Sequence, residues 1–291
     1  VTAPTDTRPP GRHPFRDLTT MDAQGSGRYA AHIDPIWTIG PKVHGGCMTA
    51  LCAAAARREL LGTATADLPV DPSVLPLAVS ASYLAAPDPG DVDVLATVRK
   101  RGRQVSLVDV ELSQNGRPAV HAAVTLGVPD AGEPHYTRAQ ALAELPAEPS
   151  AEAHALVADH PMAQVVHVSQ GCDLSVDGSS AHFLRGQQGE PEVRMWARPW
   201  AADEEDPATA ALFAIMTGDI CAPVTMNRGM FGWAPTVQLT TYLRRLPAPG
   251  WLRVMASSTV LGDTWFEEDH TVLDSTGAVV VQSRQLAMIP R

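Results

Sequence analysis

Aromatic side chains are scarce, at 5% of 291 residues, so a packed interior has to be built mostly of Ala, Val and Leu. Lysine is nearly absent: Lys42 and Lys100 stand beside twenty arginines. Positive charge is in deficit, with 22 basic against 32 acidic residues and a formal net charge of −10. A nucleic-acid partner wants the opposite balance and is not expected. No apolar run reaches the ~18 residues of a membrane span, and Val1 to Pro10 has no apolar core like that of a signal peptide. The four cysteines, Cys47, Cys52, Cys172 and Cys221, form no CxxC pair and no His/Cys cluster of zinc spacing. They sit in apolar sequence and read as buried free thiols, so a reducing cytoplasmic setting is expected. A Gly-x-Ser-x-Gly elbow, a phosphate loop and a dinucleotide fingerprint are all missing, which argues against the corresponding enzyme classes.

What is present is an ordinary globular hydrophobic content of 45% and enough length for one large or two small domains. Gly127 to Ser150 holds Pro129, Pro134, Pro146 and Pro149 and reads as an irregular linker with one short helix at Arg138 to Leu145. The halves on either side of it match in order. Pro76 to Leu84, ending in Tyr83-Leu84, corresponds to Pro235 to Leu243, with Tyr242 159 residues after Tyr83. The segments Asp91–Arg99, Val105–Ser113 and Ala119–Gly127 answer to Trp251–Val260, Thr264–Leu273 and Ala278–Met288, and the turn glycines Gly116 and Gly277 are 161 apart. Each half also has an apolar helix in the same place, Gly46 to Leu61 and Pro207 to Ala222. A helix so apolar is expected to be wrapped by sheet on most sides. Before the helices, Gly27–Ile33, Ala181–Leu184 and Val193–Trp200 read as strands. Strands following the helix through tight turns imply an antiparallel meander.

This order, with His44-Gly45-Gly46 opening the first helix, Gly102-Arg-Gln-Val-Ser106 before Gln114-Asn-Gly116, and the stretch Gly277 to Gln285, resembles the double hotdog acyl-CoA thioesterases, the thioesterase II branch most closely. The resemblance spans about Arg12 to Val128 and Val193 to Ile289. It implies an α+β chain of two hotdog domains, each an antiparallel sheet around a long apolar helix, the sheets joined in one layer with both helices on one side. The expected division is 12–128 for the first domain, 129–174 for a linker or insertion, and 175–291 for the second. The implied activity is hydrolysis of an acyl-CoA thioester, without metal or organic cofactor, by a self-associating protein.

The resemblance also implies a water-orienting set. Asp219 matches the family's helix Asp, Gln285 its C-terminal Gln, and Thr236 its strand hydroxyl, with Thr240 in reserve. One departure is that Gln238-Leu239 stands where the family often has an Asp-His pair. The residues themselves leave alternatives open. Asp219 is the lone acid in apolar sequence, where burial readies a carboxylate as a base, or it simply braces the loop before Pro223. Gly45 and Gly46 offer helix-start amides to a thioester oxygen or phosphate, or serve close packing. Arg101 and Arg103, in the basic turn Arg99 to Arg103, could receive coenzyme A phosphates or be a solvated turn. Trp233 could line an acyl tunnel or pack in the core. Two other functions compete. A non-catalytic acyl-CoA or lipid-binding protein would keep the groove without turnover. A hotdog hydratase or dehydratase would need a His–acid pair, for which His44 is the only tempting histidine.

Overall fold

The computed structural model describes residues 11–290, and the expectation about Val1 to Pro10 lies outside the described residues. Among the described residues, one antiparallel sheet of thirteen strands runs through both halves. From one edge its order is Met21–Gly25, Arg28–Ile33, Gly90–Lys100, Ser106–Gln114, Arg117–Gly127 and Leu75–Tyr83. It continues with Thr236–Leu243, Val279–Met288, Trp265–Leu273, Leu252–Ser257, Glu192–Pro199, Cys172–Val176 and His154–Ala155. The halves meet where Leu75–Tyr83 pairs with Thr236–Leu243, in register from Ala78↔Tyr242 to Ser82↔Gln238. The meander follows from alternation. In Gly90–Lys100, Val92, Val94 and Ala96 point inward while Asp91, Asp93 and Thr97 face out. Its tight turn at Asn115-Gly116 has both residues at positive φ, which Asn and Gly accept most easily.

The first central helix, Gly45–Gly62, is buried at every residue from Gly46 to Ala56. Alanines favour the helix and keep it thin enough for the sheet to wrap it closely. It packs against the second central helix, Pro207–Thr217, with Cys47 Sγ 3.6 Å from Met216 Sδ. Asp206 caps the second helix through the amide and hydroxyl of Thr209. The N-terminal turn Pro14–Thr19 ties the halves further: the Phe15 ring meets Trp37 at 5.8 Å and Phe213 at 5.2 Å, both edge-on.

Three expectations are corrected. The second helix ends at Thr217 rather than Ala222. The amides of Gly218 and Asp219 bond three residues back, to Ile215 and Met216, which winds the chain out of the helix. Ala181–Leu184 is no strand but part of a 3₁₀ turn, His182–Arg185. The Asn227 side chain takes the Phe183 amide and donates to the Ser180 carbonyl, occupying groups that a ladder would need. The linker helix shrinks to the single turn Ala141–Glu144.

The segment from 129 to 174 is more than a connection. Trp196 Nε1 and Arg253 Nη1 hold its Pro146 and Leu145 carbonyls on the second half. Toward the first half, Gly40 donates to the Val165 carbonyl at 2.7 Å and Thr38 Oγ1 lies 2.7 Å from His167 Nδ1. Among the described residues no helix is long and apolar enough to cross a membrane, and all four cysteines are unpaired.

Candidate active site

A cavity of about 660 Å³ opens between the two halves beside the N-terminus of the first central helix. Its walls carry Asp219, Thr236, Gln285, Gly45 and Trp233 together. The turn that ends the second helix early is what delivers Asp219. Two residues past the last helical one, its carboxylate leaves the axis of its own helix and reaches the start of the other. The Gly46 amide stabilises its charge, so Asp219 sits at the start of the first central helix, where His44 makes no side-chain cap. Both glycines are required by this approach. A β-carbon on Gly45 would stand 2.5 Å from Asp219 Oδ2, and one on Gly46 would stand 2.4 Å from the Met216 carbonyl oxygen.

Asp219 is 9% exposed, and burial pushes its pKa up to about 7 although the Gly46 amide pulls the other way. His44 Nε2 lies 2.9 Å from the Asp219 main-chain oxygen and 3.8 Å from Oδ2. A carbonyl only accepts, so Nε2 carries the proton, leaving Nδ1 toward Cys47 Sγ at 3.6 Å. Burial lowers the His44 pKa to about 4, so the ring is a neutral strut holding the Asp219 turn. The histidine that a hydratase would need thus has its Nε2 proton engaged and its Nδ1 turned into the core.

Opposite Asp219, the Thr236 hydroxyl donates to Gln285 Oε1 at 2.7 Å, and Gln285 Nε2 donates to Glu268 Oε2. The other Glu268 oxygen accepts the Val224 amide at 2.7 Å. Glu268 lines the same cavity with its side chain 1% exposed, and burial raises its pKa to about 7. Tyr83 also lines the cavity and braces the helix start, its hydroxyl 3.1 Å from the Gly45 carbonyl and 2.7 Å from Thr49 Oγ1.

Three other candidates, Thr240, Arg101 and Arg103, lie elsewhere. Thr240 sits at the seam between the halves, its hydroxyl 3.2 Å from Ser80 Oγ, and does not line the cavity. Arg101 holds the end of the first helix through the Thr63 carbonyl, Arg103 is exposed, and neither borders the cavity. Trp233 is 49% exposed at the rim rather than packed in the core. The departure at Gln238-Leu239 stays outside: Gln238 faces solvent, Leu239 is fully buried, and neither is a wall residue. No group of three or more His, Cys, Asp or Glu among the described residues is placed to hold a metal ion.

Glu268 and Tyr83 had no assigned role from sequence. Both fall in segments matched between the halves as strands, Pro76–Leu84 and Thr264–Leu273, where the repeat gave them no chemistry. The signal was the period of two, because Phe266, Glu268, His270 and Val272 share one face and its two apolar members are buried.

Comparison with known proteins decides the family. Models of the acyl-CoA thioesterase N-terminal and C-terminal domains match residues 33–127 and 130–289. The chain belongs to the acyl-CoA thioesterase family. Within it, this thioesterase is 45% identical over 275 residues to an uncharacterized protein of Mycobacterium tuberculosis, covering 90% of this chain and 91% of the other. A solved structure from Thermobifida fusca, provisionally assigned as a thioesterase II, is 26% identical with a TM-score of 0.78, over 97% of this chain and 99% of that one. The acyl-CoA thioesterase II TesB2 of Mycobacterium marinum shares the fold, with a TM-score of 0.68 at 13% identity over 94% and 96% of the two chains. The double hotdog architecture and the acyl-CoA substrate class therefore hold for this chain.

Proposed function

We propose that this thioesterase hydrolyses its acyl-CoA substrate in the cavity between the halves, with Asp219 as the base and Thr236 and Gln285 holding the attacking water. The observation that carries the reading is the convergence of all three side chains on one apolar-walled cavity from three separate elements. Asp219 takes one proton from the water while the water oxygen bonds to the thioester carbonyl carbon. The carbonyl oxygen becomes an oxyanion beside Gly45, at the start of the Gly45–Gly62 helix, whose dipole favours negative charge. The C–S bond then breaks. Coenzyme A leaves as a thiolate that takes up a proton, and the acyl group leaves as a carboxylic acid. A base near neutrality suits water activation, and burial sets Asp219 there.

The same reading takes residues 12–128 and 175–291 as the two catalytic halves, with 129–174 as a strap that walls the acyl end. Self-association is supported by Tyr242, Trp265 and Leu286, each at least 40% exposed on the strands of the second half. A reducing, cytoplasmic setting is supported by the four free thiols.

The test is thiol release from a panel of short, long and aromatic acyl-CoAs, comparing wild type with Asp219→Asn. A fall of about a hundredfold or more in a folded variant is expected for loss of the base. No release from any acyl-CoA would remove the hydrolytic reading, and release unchanged by the substitution would remove Asp219 from its centre.

A further inference from the structure

Glu268 is a second buried carboxylate on the cavity wall, and the hydrolytic steps leave it without a task. We propose that Glu268 is a positioning residue that fixes the direction of the Gln285–Thr236 hydrogen bond and so aims the attacking water. This rests on the proposed function of Asp219, Thr236 and Gln285.

Donors and acceptors fix the orientation of the Gln285 amide. An amide has two nearly isosteric ends, and either could face Thr236. Ionised Glu268 accepts only, and its Oε2 accepts from Gln285 Nε2, so Oε1 must face Thr236. The Thr236 hydroxyl has a single proton and donates it to Oε1. Its lone pairs are then left for the cavity, where they can only accept. Gln285 Nε2 keeps one further N–H. A water in the cavity would donate to Asp219 and to Thr236 Oγ1 and accept from Gln285. One lone pair remains free to attack the carbonyl carbon. If the amide turned over, its NH₂ group would face Thr236, the hydroxyl would reverse, and the water would meet a donor where it needs an acceptor.

The fold makes Glu268 suited to this. It is the cross-strand neighbour of Gln285 in the pairing of Trp265–Leu273 with Val279–Met288. Both its oxygens are occupied, one by Gln285 and one by the Val224 amide. His270 faces it from its own strand, with Nε2 3.9 Å from Glu268 Oε2, and burial keeps that ring neutral. Cys221 and Asp219 approach from the segment after the second helix. Glu267, next on the same strand, bonds the Thr259 amide instead. The like charge of Asp219 therefore acts on Glu268, and by reciprocity Glu268 acts on Asp219.

The experiment compares Glu268→Gln and Glu268→Asp with wild type in thiol release from acyl-CoA across pH, with Asp219→Asn alongside. In Glu268→Gln one oxygen can serve only one of the two donors. kcat is expected to fall about 10- to 100-fold, the scale of losing an orienting partner, with KM nearly unchanged. The acidic limb of kcat/KM should also move to lower pH, because a like charge beside Asp219 is gone. Glu268→Asp keeps the charge but is a methylene short of both donors, so kcat should fall with the limb in place. If both variants fold and keep kcat within about twofold with unmoved limbs, the proposal is overturned. If Glu268→Gln does not fold, Glu268→Asp decides alone, and an unchanged kcat overturns the proposal. Collapse of Asp219→Asn beside unaffected Glu268 variants would overturn this role only. Survival of Asp219→Asn would instead overturn the reading of the site on which it rests.

Discussion

Asp219 Oδ2 occupies the place that a side chain on Gly45 would need, with a β-carbon there falling 2.5 Å from it. The two residues come from opposite halves, so the carboxylate of one domain is seated on the helix start of the other. Gly45→Ala should displace the flexible end of Asp219 and lower kcat at least about tenfold, with a stability cost near 1 kcal/mol. Gly46→Ala meets the Met216 main-chain oxygen at 2.4 Å, which can yield only if the helices separate. It should cost about 1–3 kcal/mol, the larger loss of the two, as is usual for overpacking. Thiol-release kinetics beside thermal unfolding of both variants check the contrast, and a stable, fully active Gly45→Ala would contradict the close approach.

The pH dependence follows from burial of Asp219, whose pKa stands at about 7. The base works deprotonated, so kcat/KM should fall about tenfold per pH unit below neutrality and level off above it. Stability runs the other way. A carboxylate raised on folding binds its proton more tightly in the folded state than in the unfolded one. It therefore lowers stability as pH rises from the ordinary carboxylate range to about 7. Asp219→Asn removes that dependence. Its melting temperature relative to wild type should rise between about pH 4.5 and pH 8, with most of the change below neutrality. A constant difference across that range would show that Asp219 is not the group being titrated.

The strap should set acyl-chain preference. Leu156, Met162, Val165 and Val166 put four apolar side chains from it into the cavity wall. Enlarging one, as in Leu156→Trp, removes room without touching Asp219, Thr236 or Gln285. The ratio of kcat/KM for long over short acyl-CoAs should drop about tenfold, the effect of ~1.4 kcal/mol of lost fit. An unshifted ratio across the acyl-CoA panel would place the acyl chain against another wall.

The duplication, the two central helices and the meanders were legible because each rests on local period. Alternation over Gly90–Lys100 and an unbroken apolar run over the first helix can be counted on the chain. Register was not legible to one residue. Tyr83 and Tyr242 line up in sequence, yet Tyr83 turns in to hold the helix start and Tyr242 is 46% exposed. In a strand a slip of one position reverses the face, and the repeat does not fix which residue is equivalent to which.

Composition and periodicity determined by themselves that this is an acidic chain of two similar halves with apolar helices inside antiparallel sheets. Motif resemblance marked Asp219, Thr236 and Gln285. Tertiary structure alone decided that these three face one cavity and that Thr240, Arg101 and Arg103 do not. It also brought in Glu268, hidden within an acidic run, and the strap, whose sequence looks like a linker. The reason is distance along the chain. Gly46 and Asp219, or Glu268 and Gln285, meet only after the sheet has closed across the seam and the second helix has stopped short. No local pattern carries the address of a partner so far away.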